Sequence, residues 1–158
     1  MRTQKITISV IGGSKSNNRV EYLAHNIGNL VAKVGAILVC GGLKGVMEAS
    51  SRGSKEAGGL TIGLLPGKDK KDANPYIDIA LPTSIGFARN AMVACSADIV
   101  IALPGSYGTM CEISYALVYK RPVIDLGNWK IKGMIRVKNI ADAEKKVKLI
   151  IRKLNKKK

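Results

Sequence analysis

The chain has 158 residues, 46% of them hydrophobic and 23% charged, and its formal net charge is +15. This length suits one domain with a substantial buried core, and no apolar run is long enough to cross a bilayer. The single histidine, His25, and the three cysteines without Cys-x-x-Cys spacing predict reduced thiols and no metal site.

Strand patterns alternate with helical patterns along nearly the whole chain. Short apolar runs predict strands at residues 5–11, 36–40, 60–65, 77–81, 99–103 and 123–126. Apolar stripes at helical spacing predict helices at residues 19–34 (capped by Asn17 or Asn18), 45–57, 84 or 86 to 96, 109 onward, and 141–154. Residues 68–75 predict a mobile surface loop, and residues 129–137 are consistent with an edge strand. We therefore expect an α/β fold: a Rossmann-like, doubly wound, mainly parallel sheet with helices on both faces.

The domain organisation follows from the absence of repeats and low-complexity segments. We expect one Rossmann-like nucleotide-binding domain over residues 1–154 and a basic C-terminal tail over residues 155–158. The N-terminus enters a strand pattern without the apolar core of a signal peptide, which predicts a cytoplasmic protein without a membrane partner.

Positive charge is concentrated near the C-terminus. Residues 128–158 contain 12 Lys and Arg but only two acids, Asp142 and Glu144. This pattern is typical either of a solvated lysine-rich helix face or of nucleic-acid binding. Few aromatic residues lie between these lysines, so stacking on single strands has little support.

Glycines follow the carboxyl ends of four predicted strands, at Gly12-Gly13, Gly41-Gly42, Gly67 and Gly105. In an open parallel sheet these ends share one edge, and ligands bind there at the topological switch point. We therefore expect one crevice in which a ligand contacts Gly12, Gly13, Ser14, Gly41 and Gly42. Neither G-x-G-x-x-G nor G-x-x-x-x-G-K-[ST] occurs at the expected places, which disfavours dinucleotide enzymes and excludes P-loop NTPases.

The strongest functional signal is the segment of residues 97–117, ADIVIALPGSYGTMCEISYAL. A buried strand is followed by a small-residue turn and by a helix opened by Thr109. Glycines let backbone N–H groups turn toward a ligand, and the helix dipole favours an anion. We expect a phosphate or carboxylate to be held by Gly105, Ser106, Tyr107, Gly108 and Thr109. Tyr107 either faces the ligand or fills the core.

Two charged residues near this turn allow alternative interpretations. Thr109-x-x-Glu112 has the spacing of a capping box, and spacing alone favours that role for Glu112 over catalysis as a general base or hydroxyl orienter. Arg89 on the preceding helix either forms a surface ion pair or contacts the ligand. Its position before the anion turn favours the ligand contact.

These residues resemble the motifs of a known family. Ala88-Arg89-Asn90, the stretch Pro104-Gly105-Ser106-Tyr107-Gly108-Thr109-x-x-Glu112 and the upstream glycines resemble the Lonely Guy family of Rossmann-like proteins, long misnamed lysine decarboxylases. The resemblance covers roughly residues 5–125. In its phosphoribohydrolase members it implies that Arg89 and Glu112 are catalytic and cleave the N-glycosidic bond of a nucleoside 5′-monophosphate. Nothing in the sequence identifies a pyridoxal-phosphate lysine.

Two departures point to a sister branch of that family. The hydrolases have a lysine where this chain has Asn90, and Ser106 replaces the second motif glycine. The Ala-Arg-Asn signature, with Asp98 opening the strand, looks closer to the molybdenum-cofactor carrier proteins, which bind a phosphorylated pterin. This resemblance implies a carrier for the molybdenum cofactor or a nucleoside monophosphate, with Arg89 and Asn90 in the site. It also implies a homo-oligomer, either a dimer or a tetramer.

A third resemblance concerns the glycine pattern of residues 41–67. This pattern is similar to that of the DNA-processing protein A family, Rossmann-like proteins that bind single-stranded DNA, and the charge of +15 suits such a partner. That family lacks the downstream P-G-x-x-G-T-x-x-E stretch. Single-stranded DNA binding therefore ranks behind the two nucleotide-based interpretations.

Overall fold

Seven short apolar runs form one fully parallel sheet in the computed structural model, which describes residues 4–156. The strands are β1 (Thr7–Ile11), β2 (Ile37–Cys40), β3 (Thr61–Leu65), β4 (Ile79–Pro82), β5 (Ile99–Ala102), β6 (Val123–Asp125) and β7 (Ile135–Arg136). Their order across the sheet is β4-β3-β2-β1-β5-β6-β7, and each neighbouring pair is parallel. The direction of winding reverses between β1 and β5. The doubly wound α/β fold predicted from the sequence is confirmed.

Helices cover both faces of the sheet, and each face has its own apolar core. The helices are α1 (Asn18–Lys33), α2 (Val46–Glu56), α3 (Arg89–Cys95), α4 (Tyr107–Val118) and α5 (Ile140–Asn155). One core joins residues of α1, α2 and α5, and the other joins residues of α3 and α4. Asn17 caps α1, because its side chain accepts a hydrogen bond from the Val20 N–H at 3.0 Å. None of the helices within residues 4–156 has the length and apolarity to span a membrane.

The region of residues 68–75 differs from the predicted mobile loop. It contains a short 3-10 helix, Lys70–Asp72, and Asn74 is buried. The Asn74 side chain donates to the Leu43 carbonyl and its backbone N–H donates to the Gly42 carbonyl, both at 2.8 Å. Most of the segment is exposed, as predicted for a surface loop. These two hydrogen bonds were not predicted, because their partners lie about 30 residues away in the chain and leave no periodic signal.

Two other elements were only partly predicted. The helix expected from residue 84 or 86 begins as a 3-10 turn, Gly86–Ala88, and becomes α-helical at Arg89. Ser84 has φ 60°, a left-handed conformation incompatible with a helix start there. Between residues 129 and 137 only Ile135–Arg136 joins the sheet. The preceding loop is organised instead by the buried Asp125 carboxylate, which accepts three backbone hydrogen bonds.

At the C-terminus, α5 extends one residue beyond the predicted boundary, through Asn155. Lys157 and Lys158, the last two residues of the expected basic tail, lie outside the described residues.

Helices α1 and α2 pack backbone against backbone at two glycines. A Cβ atom on Gly28 would lie 1.8 Å from the Ser50 carbonyl oxygen, and one on Gly53 would lie 1.9 Å from the His25 carbonyl oxygen. Both distances are far below contact distance, so only glycine fits at either position. This close packing fixes α2, whose N-terminus faces the carboxyl edge of the sheet.

The substitution Gly28→Ala tests this packing. Alanine favours an isolated helix by about 1 kcal/mol over glycine, but here its methyl group must displace the Ser50 backbone. We expect a net loss of about 1 to 3 kcal/mol in the free energy of unfolding, measured by urea denaturation. Asn29→Ala, one residue along α1, is the control and should change stability by less than about 0.5 kcal/mol. Unchanged stability of Gly28→Ala would contradict the packing described.

Candidate functional site

A cavity of about 260 Å³ opens at the carboxyl edge of the sheet, between β1 and β5. We call it the crevice. It lies at the switch point, where the loops after β1, β2 and β5 meet. Ten of the residues expected at a ligand site line it: Gly12, Gly13, Ser14, Gly41, Arg89, Asn90, Ser106, Gly108, Thr109 and Glu112.

A wider groove of about 740 Å³ adjoins the crevice and shares Gly13, Ser14 and Ser106 with it. Gly105, also predicted for the site, lines this outer groove. Two backbone hydrogen bonds hold the loops together: Gly13 N–H donates to the Pro104 carbonyl, and Val46 N–H donates to the Gly13 carbonyl, each at 3.0 Å. The turn after β5, which is predicted to hold a phosphate or carboxylate, is therefore joined by a hydrogen bond to the loop after β1.

Close packing of these loops explains Gly105. A Cβ atom there would lie 2.2 Å from the Thr109 hydroxyl oxygen and 3.0 Å from the Gly13 nitrogen. The glycine allows the chain to turn directly into α4, which leaves Ser106 at the N-cap without a side-chain cap. The first N–H groups of α4 thus remain available to an anion.

Two residues predicted for the site do not line the crevice or the outer groove. Gly42 has φ +74°, and a Cβ atom there would lie 2.7 Å from Leu65 Cδ2, so its role is to pack against β3. Tyr107 is 87% exposed, so the core-filling alternative was wrong. Its ring stands at the surface between Ser106 and Gly108, both of which line the crevice.

The capping-box interpretation of Glu112 was also wrong. Helix α4 begins at Tyr107, and Met110 N–H donates to the Ser106 carbonyl at 3.0 Å, so Thr109 is already the third helical residue. Glu112 therefore lies on the second turn, where its side chain is buried and lines the crevice. Thr109 and Glu112 have the spacing of a capping box, but the turn at Gly105 lets α4 begin at Tyr107, two residues before Thr109.

Burial controls the ionisation of Glu112. Desolvation raises its pKa from an ordinary value of 4.5 to about 8, although the nearby Arg89 charge acts in the opposite direction. At neutral pH the carboxyl group is therefore mostly protonated, neutral and able to donate a hydrogen bond. An ionised carboxylate in the crevice would repel an anionic ligand, whereas a protonated Glu112 does not.

Arg89 supplies the positive charge of the crevice. Its side chain is buried; Nη1 donates to the Asn90 Oδ1, Nη2 donates to the Gly41 carbonyl at 3.2 Å, and Nε has no partner. Within residues 4–156 it forms no ion pair, so the surface ion-pair alternative was wrong. Burial lowers its pKa, but an arginine keeps its charge at neutral pH. The crevice thus contains a buried, uncompensated cation, which favours an anionic ligand.

Sequence reasoning missed several residues of the crevice wall, among them Leu43, Met47 and Phe87. The first two follow Gly41-Gly42 and look like ordinary core residues in the sequence. Phe87 stands two residues before Arg89, and that proximity to the motif was the available signal.

The comparisons with known proteins agree with this architecture. The family model described as the SLOG cluster4 family matches residues 5–157. An uncharacterized protein of Archaeoglobus fulgidus is 41% identical over 119 residues, which cover 75% of this chain and 78% of that protein.

Solved structures with the same architecture are also similar to this chain. The molybdenum cofactor binding protein from Rippkaea orientalis has a TM-score of 0.89 and 34% identity, with 95% of this chain and 99% of that chain covered. The molybdenum cofactor carrier protein from Chlamydomonas reinhardtii has a TM-score of 0.86 and 31% identity, with 94% and 99% covered. DNA processing protein A from Helicobacter pylori, at 18% identity and a TM-score of 0.69, with 91% of this chain and 80% of that chain covered, shares the fold.

The ionisation of Glu112 gives a test based on stability. The folded protein holds a proton on Glu112 up to about pH 8, whereas the unfolded chain releases it near pH 4.5. Between these values the wild type should lose about 1.4 kcal/mol of stability per pH unit relative to Glu112→Gln. Urea denaturation of both proteins, at intervals of about one pH unit from about pH 5 to pH 9, would measure this difference. Parallel curves for the two proteins would show that Glu112 ionises normally.

Proposed function

The chain belongs to the SLOG cluster4 family, and we propose that it binds a phosphorylated, nucleotide-like ligand in the crevice, as a protein of the molybdenum-cofactor-carrier type. The observation that carries the proposal is the buried Arg89, whose Nε lacks a partner and whose charge is not balanced by an ionised acid. The likeness to molybdenum cofactor binding and carrier proteins over nearly their full length supports it.

In this proposal each group of the crevice has a distinct part. Gly105, Ser106, Tyr107, Gly108 and Thr109 hold the phosphate through the free N–H groups at the start of α4. Arg89 adds a charge-assisted hydrogen bond. Protonated Glu112 donates a hydrogen bond to an acceptor on the ligand, while the neighbouring loops of Gly12, Gly13, Ser14 and Gly41 allow close approach.

Asn90 links these groups. Its Oδ1 accepts a hydrogen bond from Arg89, and a Cβ on Gly108 would be only 3.3 Å from its Nδ2. Asn90 therefore holds Arg89 beside the start of α4. The residues present fit a phosphorylated pterin or a nucleoside monophosphate as cargo.

We also propose that one domain carries this function and that it assembles as a dimer or tetramer. Exposed apolar side chains on α4 and at its C-cap support the assembly: Met110, Tyr115 and Val118 on the helix and Tyr119 at the cap. Light scattering of the purified protein tests it, and a monomeric mass would refute it.

The binding proposal is tested by native mass spectrometry of freshly purified protein, followed by titration with nucleoside 5′-monophosphates and a pterin phosphate. We expect a retained or tightly bound ligand that stays intact. Arg89→Met should weaken binding by about 10- to 150-fold, because a charged hydrogen bond is lost. Arg121→Met is the matched control: Arg121 also donates one hydrogen bond to a backbone carbonyl, that of Cys95, but does not line the crevice. Equal affinity of folded Arg89→Met and wild type would refute the proposal.

A second candidate is a phosphoribohydrolase that acts on nucleoside 5′-monophosphates. The pKa of Glu112, raised to about 8 by burial, makes it a carboxylic acid that can protonate a leaving base at neutral pH. The N-glycosidic bond would break and the base would leave with the proton from Glu112, while water adds its oxygen to C1′ of the ribose. The proton that this water loses would return to the Glu112 carboxylate. Arg89 would hold the sugar phosphate.

Hydrolysis is tested by incubating the same monophosphates with the protein and assaying free base and ribose 5-phosphate. If this candidate is correct, Glu112→Gln should reduce turnover by about 10²- to 10⁴-fold and retain binding, since it keeps the shape of the side chain. Intact ligand after prolonged incubation would support the carrier instead. Turnover that survives Glu112→Gln would contradict the catalytic role of Glu112.

A further inference from the structure

Phe87 is the single phenylalanine of the chain, and its ring is 87% exposed although it lines the crevice. An apolar ring in this position contributes little to the core. Its immediate surroundings are polar at one end, where Arg89 and Asn90 are buried in the crevice. Phe87 is thus an exposed aromatic residue that lines the same cavity as a buried cation, and packing of the apolar core does not explain it.

Backbone hydrogen bonds anchor the segment that precedes Phe87. Gly86 N–H donates to the Pro66 carbonyl and Ser84 N–H donates to the Gly67 carbonyl, each at 3.0 Å. Ser84 and Gly86 both have φ 60°, so the chain turns sharply on either side of Ile85 before it reaches Phe87. The segment that carries Phe87 is thus anchored to the turn after β3 by its main chain.

The crevice is close in size to known small-molecule sites, and Phe87 is part of its lining. Its volume of about 260 Å³ is just below the range of about 300 to 1,000 Å³ for small-molecule sites. The anion turn forms one part of its lining and Phe87 forms another. A ligand whose phosphate lies on the turn would therefore share this cavity with the Phe87 side chain. Leu43 and Met47 add apolar surface to the same cavity.

We propose that Phe87 is the platform on which the planar heterocycle of the phosphorylated ligand stacks, and that it determines selectivity for a purine or pterin phosphate over a plain sugar phosphate. The inference rests on the proposed function. Stacking on an aromatic face accepts any planar base, whereas Arg89 and the turn recognise the phosphate. Phosphate binding and heterocycle binding are thereby assigned to different residues.

The test compares ligands with and without a heterocycle. Isothermal titration with AMP, GMP, neopterin phosphate and ribose 5-phosphate is carried out on the wild type and Phe87→Ala. Loss of stacking should weaken binding of the three heterocyclic probes by about 5- to 150-fold and leave ribose 5-phosphate unaffected. Phe87→Trp should bind the heterocyclic probes more tightly than Phe87→Ala does, and AMP should quench the fluorescence of the introduced tryptophan.

A control separates ligand contact from contact between subunits. Val118 on α4 is 74% exposed and does not line the crevice. Val118→Ala should leave the ratio of AMP to ribose 5-phosphate affinity unchanged. Val118→Ala could weaken binding of the heterocyclic probes as much as Phe87→Ala does, and Phe87→Ala could also change the oligomeric mass. These two results together would show that Phe87 serves subunit contact and would overturn the proposal.

The remaining outcomes distinguish this inference from the function on which it rests. If ribose 5-phosphate binds as tightly as the heterocyclic probes, or Phe87→Ala weakens all four equally, stacking is refuted and phosphate binding stands. If none of the four probes binds the wild type, the proposed function fails and the inference with it.

Discussion

The close approach of three loops at the carboxyl edge of the sheet is the constraint on which the site depends. Gly13 bonds through its N–H to Pro104 and through its carbonyl to Val46, so the loops after β1, β2 and β5 are joined at a single residue. There is no space for a side chain at Gly105, where a Cβ would meet Thr109 at 2.2 Å. Because α4 begins immediately after this contact, the packing of the loops also sets the direction of its free N–H groups.

The electrostatics of the crevice follow from burial. Arg89 and Glu112 come from helices on the same face of the sheet, and both are almost completely removed from solvent. A buried arginine keeps its charge, whereas a buried carboxyl group can become neutral by taking up a proton, and desolvation raises the pKa of Glu112 to about 8. The result is a net positive pocket despite the presence of an acid. This asymmetry supports anion binding under both candidate functions.

The two faces of the sheet differ in composition. The face with α1, α2 and α5 is closed by glycine contacts and an extensive apolar core. The face with α3 and α4 supplies Arg89, Asn90 and Glu112, and it retains exposed apolar residues. The basic side chains of α5 lie on neither wall of the crevice nor in the outer groove. The lysines and arginines of α5 are therefore separate from the crevice, in which the buried cation is Arg89.

The sequence by itself determined the alternation of strands and helices, the glycines that follow the strands, and a cap for α1 at Asn17 or Asn18, because each depends on neighbours within a few residues. Only the tertiary structure decided that α4 starts at Tyr107, that Glu112 is buried and protonated, that Gly42 packs on β3, and that Phe87 borders the crevice. These properties arise from contacts between distant segments and from the exclusion of water. Local periodicity and spacing predict neither the contacts between distant segments nor the exclusion of water.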